Sequence, residues 1–264
     1  GCIQDLMHAT VHSSSPSLYA TLRLFLQSFH SNKRLREVDA MLLRLYNPIL
    51  WRSLQVASPT VRAQATGLLI DAFPLQNPDM GTIEAAALLQ KQLDMLQALL
   101  LDPEPHVRVA AVVGVCRVLS VFWEAIPLHV TKQYVTRLVG SLAFDSSSAL
   151  VRLAVVEGLT ELLEQPLAHP VLKQALPLTA PLLHDKAPRV RSAFVGLLQK
   201  VKAVRDIKFY QVVPVEHLLA RFAIDAPKAS SKALSARMAD LLLNSYFPQV
   251  RPSLPPSLPP SSSH

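Results

Sequence analysis

Glycine is scarce in this chain, with seven in 264 residues. So few cannot furnish the turns of a β-sandwich or barrel, nor the phosphate loops of a dinucleotide-binding fold. Aromatic residues make up 6% of the chain while hydrophobic residues reach 50%. The core material is therefore Leu, Val and Ala, which suits helices and is too abundant for a chain disordered over most of its length. Cysteine is almost absent. Cys2 and Cys116 lie far apart without a CxxC partner, which excludes a disulfide framework or a cysteine-only zinc site and fits a reducing, intracellular compartment. Long apolar runs are missing as well: the most apolar stretch, Val107 to Trp123, is broken by Arg108 and Arg117, so no membrane span is expected. The first residues, GCIQDLMHAT, do not read as a signal peptide.

Chemical motifs are equally thin. The nine histidines form no HExxH pair and no grouping with Cys and carboxylates at ligand spacing, and neither GxGxxG nor GxxxxGK[ST] occurs. Cys116, between Val115 and Arg117 beside an apolar stripe, reads as a buried structural thiol. No catalytic residue, metal, cofactor or small-molecule substrate is expected, and the chain is not expected to be an enzyme.

What the sequence does contain is a repeat. Val-Arg followed by small and apolar residues recurs at Val61-Arg62, Val107-Arg108, Val151-Arg152 and Val190-Arg191, with spacings of 46, 44 and 39, close to the period of paired-helix repeats. Each Val opens a helical stripe, as in Val107, Ala111, Val115, Val118, Leu119 and Phe122, which lie along one face of an α-helix. A glycine follows each Val by six or seven residues, at Gly67, Gly114, Gly158 and Gly196. Glycine inside a helix costs about 1 kcal/mol relative to alanine, so its recurrence predicts close helix packing. Pro59, Pro105 and Pro188 stand two residues before the Val, where a first helical turn has no use for the missing N–H. Asp102, Asp145 and Asp185 close the preceding apolar runs and are expected to bind turn amides or cap the next helix.

The expected fold is therefore all-α, a HEAT-type α-solenoid of stacked antiparallel helix pairs over residues 1–248. About five pairs are expected near 47–73, 83–123, 128–165, 169–203 and 214–247, after N-terminal helices within 1–45. Pro177 and Pro181 should kink or split the first helix of the fourth pair. Residues 249–264, rich in Pro and Ser, are expected to be a disordered or polyproline-like tail.

Charge offers two readings of the surface. The chain carries 26 basic and 19 acidic residues, which permits a polyanionic partner. The repeated Arg62, Arg108, Arg152 and Arg191 are read as a structural ladder paired with turn aspartates, in preference to a row of phosphate contacts. The denser cluster lies between Lys186 and Lys208, where seven basic residues face one acid, Asp206. Lys200, Lys202, Arg205 and Lys208 are the candidate DNA- or partner-binding residues, with Phe209 and Tyr210 adjacent. Lys33, Arg34 and Arg36, and then Lys228, Lys232 and Arg237, are weaker clusters.

The segments RLYNPILWR, VVGVCRV, FWEAIP, GSLAFDSSSALVR, KVKAVRDIKFY, PVEHLLAR and LLLNSYFP, in this order from about residue 2 to 248, resemble the HEAT-repeat G-type non-SMC subunits of condensin II. Members of that family are much longer, so the chain reads as an internal fragment or truncated product, and its proline-rich tail does not match them. The resemblance implies a non-enzymatic scaffold that binds the kleisin subunit and, through it, the SMC ATPase subunits, and that holds duplex DNA or chromatin without sequence preference. It also implies a nuclear, chromosomal setting and a role in mitotic chromosome condensation. The alternative is a purely protein-binding HEAT adaptor without DNA contact.

Overall fold

The computed structural model describes residues 1–246, with side chains through 243. The expected tail 249–264 lies outside the described residues. Every regular element among them is helical: α1 (Cys2–His12), α2 (Pro16–His30), α3 (Arg36–Ser53), α4 (Pro59–Ala72), α5 (Thr82–Leu99), α6 (Pro105–Phe122), α7 (Leu128–Gly140), α8 (Ala149–Leu162), α9 (His169–Ala175), α10 (Pro188–Ala203), the single turn α11 (Phe209–Val212), α12 (Val215–Asp225) and α13 (Lys232–Tyr246). The chain is an all-α solenoid. Helices α4, α6, α8 and α10 pack successively against one another to form one layer, and α13 continues it against α10. Helices α3, α5, α7, α9 and α12 precede them in each pair.

Local chemistry explains the boundaries. Pro16, Pro59, Pro105 and Pro188 each occupy the first position of their helix, where no intrahelical donor is needed. Ala149 begins α8 without proline, and there the Ser148 hydroxyl accepts from the Leu150 N–H. Pro177 and Pro181 end α9 after Ala175, and a 3-10 segment, Leu176–His184, completes that half of the pair. The first helix of the first pair begins at Arg36, eleven residues before the expected start, and runs through Pro48. Proline deprives the carbonyl four residues earlier of its donor. Here that residue is Arg44, exposed like Pro48 itself, so water can hydrate the freed carbonyl.

The stripes opened by the repeated valines are the core. Val107, Ala111, Val115, Val118 and Leu119 of α6 are buried, as are Val151, Val155 and Leu159 of α8 and Val190, Phe194, Leu197 and Leu198 of α10. Each Val or Leu so enclosed contributes roughly 1.5–3 kcal/mol. Helix α6 and its following turn, Pro105–Ala125, have the length and apolarity of a membrane span. The helix is instead the centre of the stack, between α4 and α8.

The four repeat glycines divide into two groups. Gly114 and Gly158 stand seven residues after their Val and face the preceding helix of the layer: a Cβ on Gly114 would lie 2.4 Å from Ile70 Cγ1, and one on Gly158 would lie 2.4 Å from Cys116 Sγ. A Cβ on Gly67 would strike the Tyr19 hydroxyl at 2.2 Å. Gly196 departs from the packing expectation. Like Gly67 it stands six residues after its Val, off the register of Gly114 and Gly158, but no side chain covers it as Tyr19 covers Gly67, and a Cβ there would meet only Arg237 Nη1 at 3.9 Å.

Candidate functional site

The repeated arginines line the edge formed by the turns between paired helices. Arg62 pairs through Nε with Asp102 Oδ2 at 2.7 Å, Arg108 through Nη2 with Asp145 Oδ2 at 2.8 Å, and Arg152 through Nε with Asp185 Oδ2 at 2.6 Å. Each therefore reaches the turn of the following pair. Each also donates from Nη1 to carbonyls of its own turn: Val56 and Ala57 for Arg62, Asp102 and Pro103 for Arg108, Asp145 for Arg152, and Asp185 and Lys186 for Arg191. The aspartates use their other oxygen on turn amides, those of Glu104, of Ser147 and Ser148, and of Ala187. The last rung is looser. Arg191 Nε lies 3.9 Å from Asp225 Oδ2, and Arg221, four residues earlier on α12, holds the same carboxylate.

Burial works against the charged form of Asp102, Asp145 and Asp185, yet the arginine, hydroxyl and N–H donors outweigh it, and all three carboxyls sit below the usual Asp range. Asp225 is held low chiefly by Arg221. Removing one member of such a pair costs about 3–5 kcal/mol, because the partner stays buried and uncompensated. With their donors spent inside the turns, Arg62, Arg108 and Arg152 form a spine and offer little to a ligand, while Arg191 continues it through its own turn carbonyls and leaves its buried Nε without a hydrogen-bond partner.

The expected basic cluster does not form a single patch. Lys200 and Lys202 lie in the last turn of α10, two residues apart and so about 200° around the helix from each other. Lys200 pairs with Glu164 at 2.9 Å, and Lys208 Nζ donates to the Arg205 carbonyl at 3.0 Å. Lys202 and Arg205 are exposed, without an acidic partner among the described residues. Phe209 is buried and cannot stack on a ligand, whereas Tyr210 is 48% exposed. The weaker clusters are largely structural: Lys33 donates to the carbonyls of Ala72 and Pro74 and pairs with Asp39, Arg36 pairs with Asp79, and Arg237 donates to Ser192.

Two features escaped the sequence reading. The first is a charged row along the α4–α6–α8–α10 layer, ten residues after each repeat Val: Asp71, Arg117, Glu161 and Lys200, which alternate in sign and of which Asp71 is enclosed. Asp71 accepts from both Arg23 and Arg117. The second is a groove of about 300 Å³ where α2, α4 and α6 meet, floored by Ala63, Gly67 and Ala110 and edged by Tyr19, Val113 and Arg117. Its depth follows from the small floor residues. Apolar side chains continue along the exposed faces of α6 and α8, where Val113, Val121 and Leu150 stand at least half exposed.

No group of three potential metal ligands occurs among the described residues. Cys116 is fully buried against Gly158, and desolvation pushes its thiol up to about 12. The buried His30 shares a 2.9 Å hydrogen bond with the Tyr46 hydroxyl, and its burial lowers it to about 4.

Among known proteins, residues 1–77 match the family model described as the condensin II non structural maintenance of chromosomes subunit. The chain is 45% identical over 253 residues to condensin-2 complex subunit G2 of Danio rerio and 41% identical over 253 residues to that of Homo sapiens, in each case across 95% of this chain and 22% of the relative. It thus spans about a fifth of the length of those relatives. Among solved structures, a computationally designed armadillo repeat protein for modular peptide recognition superposes with a TM-score of 0.52 at 18% identity, covering 91% of this chain and 98% of that one. An engineered protein gives 0.51 at 17%, covering 91% and 96%. These likenesses show the repeat fold.

Proposed function

We propose that this chain, a homologue of condensin-2 complex subunit G2 along 95% of its length, is a non-enzymatic scaffold segment of a condensin II complex. In this reading it binds the kleisin subunit and, with it, duplex DNA without sequence preference, during mitotic chromosome condensation in the nucleus. The observation that carries the proposal is the continuous 40–45% identity across almost every described helix. Two features support the finer assignments. The groove between α2, α4 and α6, edged by Val113 and with Val121 and Leu150 exposed on α6 and α8, suits an extended segment with apolar side chains and is assigned to kleisin. Lys202 and Arg205 provide exposed cations near the end of α10 and are assigned to DNA phosphates, together with the partly engaged Lys200 and Lys208. The SMC ATPase subunits join through kleisin, so hydrolysis is theirs.

Two measurements test this reading. The chain should co-elute with the kleisin subunit of condensin II in gel filtration, and Val113→Glu, which puts a charge on an exposed groove position, should abolish co-elution while leaving the melting temperature unchanged. Titration with fluorescent random-sequence duplex DNA at several salt concentrations should give binding that falls steeply with salt and ignores sequence. Co-elution with kleisin but no DNA binding, with or without kleisin present, would leave a protein-binding HEAT adaptor in place of the DNA-holding scaffold.

A further inference from the structure

A second groove, of about 700 Å³, runs between the C-terminal part of α5 and the outer face of α7. Its position is set by Tyr134, a buried α7 residue whose hydroxyl donates to the Leu93 carbonyl of α5 at 2.7 Å. The lining consists of Gln97, Lys132, Gln133, Thr136, Arg137 and the turn from Gly140 to Ser141. None of these side chains is apolar and none is acidic.

Three observations single the groove out. First, no acidic residue occurs between Glu124 and Asp145, and Asp145 is consumed by Arg108 and its own turn. The acid of α5 near this level, Asp94, accepts from Gln90 and lines the separate groove toward α3. Secondly, neither Lys132 nor Arg137 has an ion-pair partner among the described residues, in contrast to the four ladder arginines. Thirdly, Gly140 is explained neither by packing nor by backbone conformation: a Cβ there would meet nothing within 4 Å, and no glycine has positive φ. Its missing side chain keeps the mouth of the groove low.

We propose that this α5–α7 groove is a binding site for the phosphate backbone of duplex DNA, in addition to the α10 end and remote from it in sequence. The proposal rests on the DNA-holding reading above and places a contact where that reading has none. Protein partners are held chiefly by aromatic and apolar anchors set in pockets, and this lining supplies amide, hydroxyl and cationic groups instead, the set that contacts phosphate and sugar. Arg137 supplies a planar fork and Lys132 a mobile point charge, while glutamine and threonine add neutral donors. The contacts proposed are to phosphate and sugar, which carry no sequence information directly.

The test uses the full 264-residue chain and a fluorescent 30-bp duplex of random sequence, titrated from low to moderate salt. The variants are Lys132→Gln/Arg137→Gln, the separate pair Lys202→Gln/Arg205→Gln, and Gly140→Glu, which adds an acid at the groove mouth without touching the core. The expected result is at least a tenfold loss of affinity for the first variant and a slope of log affinity against log salt flatter by about two, since each lost phosphate contact removes about 0.9. Gly140→Glu should weaken binding in the same direction, with an unchanged circular dichroism spectrum. If wild type binds and both groove variants bind equally well while Lys202→Gln/Arg205→Gln does not, the groove is refuted and the broader reading stands. Absence of wild-type binding at low salt, both alone and with the kleisin subunit added, overturns both. Tighter binding of poly-glutamate than of DNA, lost in the same groove variants, would replace the nucleic acid by an acidic protein segment.

Discussion

Alanine at Gly114 and alanine at Gly196 should shift stability in opposite directions, although both glycines belong to the same repeat pattern. In each helix the substitution gains about 1 kcal/mol of intrinsic propensity. At Gly196 nothing opposes that gain, because the nearest atom to the new Cβ is a guanidinium nitrogen at 3.9 Å at the end of a flexible arginine. At Gly114 the Cβ would sit 2.4 Å from Cγ1 and 2.5 Å from Cδ1 of Ile70, and Ile70 is buried and branched at Cβ, with one favoured χ1 in a helix. Overpacking of this kind costs about 1–3 kcal/mol, so the net change at Gly114 runs from near zero to a loss of about 2 kcal/mol. Urea midpoints and melting temperatures of the two variants measure this, at roughly 2–4 °C per kcal/mol for a chain of this size. A second-site control sharpens the assignment. Ile70→Ala alone leaves a cavity, costing about 2–5 kcal/mol, but the methyl of Gly114→Ala fills part of it, so the double variant should be more stable than the sum of the singles by about 0.5–3 kcal/mol. Additive behaviour, or stabilisation at both glycines, would refute the close approach of α4 and α6.

Arg108→Met should destabilise by about 3–5 kcal/mol by stranding Asp145 and two turn carbonyls, whereas Arg189→Met, at an exposed position two residues before the ladder's Arg191, should stay within about 0.5 kcal/mol; equal losses would contradict the ladder. His30 is lowered from 6.5 to about 4 by burial, so its contribution is complete above pH 6.5 and is lost as pH falls toward 4, about 2 kcal/mol of it by pH 5. His30→Gln should flatten the denaturant midpoint across that window, and an unflattened profile would assign the pH dependence elsewhere. The ladder aspartates are lowered from 3.8, so their contribution is lost only at more acidic pH. Toward a thiol reagent, the native chain should show one fast cysteine, the exposed Cys2, and a second only in denaturant, because Cys116 is enclosed; two fast thiols would mean that α6 and α8 separate readily.

Much of the fold was legible because the repeat writes its own grammar. Proline at the first helical position, valine into the core and arginine onto the turn each follow from one-dimensional spacing. The glycines were only half legible: a shift of one residue rotates a position by about 100°, enough to move Gly196 off the contact that Gly114 makes. Asp225 was missed as the final rung because its pair lacks the Val-Arg that marks the others. The arrangement of the α10 cluster was not legible, since linear charge density ignores which face each lysine occupies and which acid waits beside it. The α5–α7 groove left a fainter trace, a run of twenty residues without an acid between Glu124 and Asp145. Such a run carries few cations to draw the eye, and the groove exists only because two helices are brought together.

The arginine ladder also gives the solenoid a stiff side. Along the turn edge the first three rungs are each tied to two consecutive pairs at 2.6–2.8 Å and are largely shielded from water, while toward the far end of the last of these helices the contact between pairs is the exposed Lys200–Glu164. A pull along the stack is expected to open the exposed side before the laddered one, as a book fans about its binding. The slack rung at Arg191 and Asp225 is where the last pages turn first.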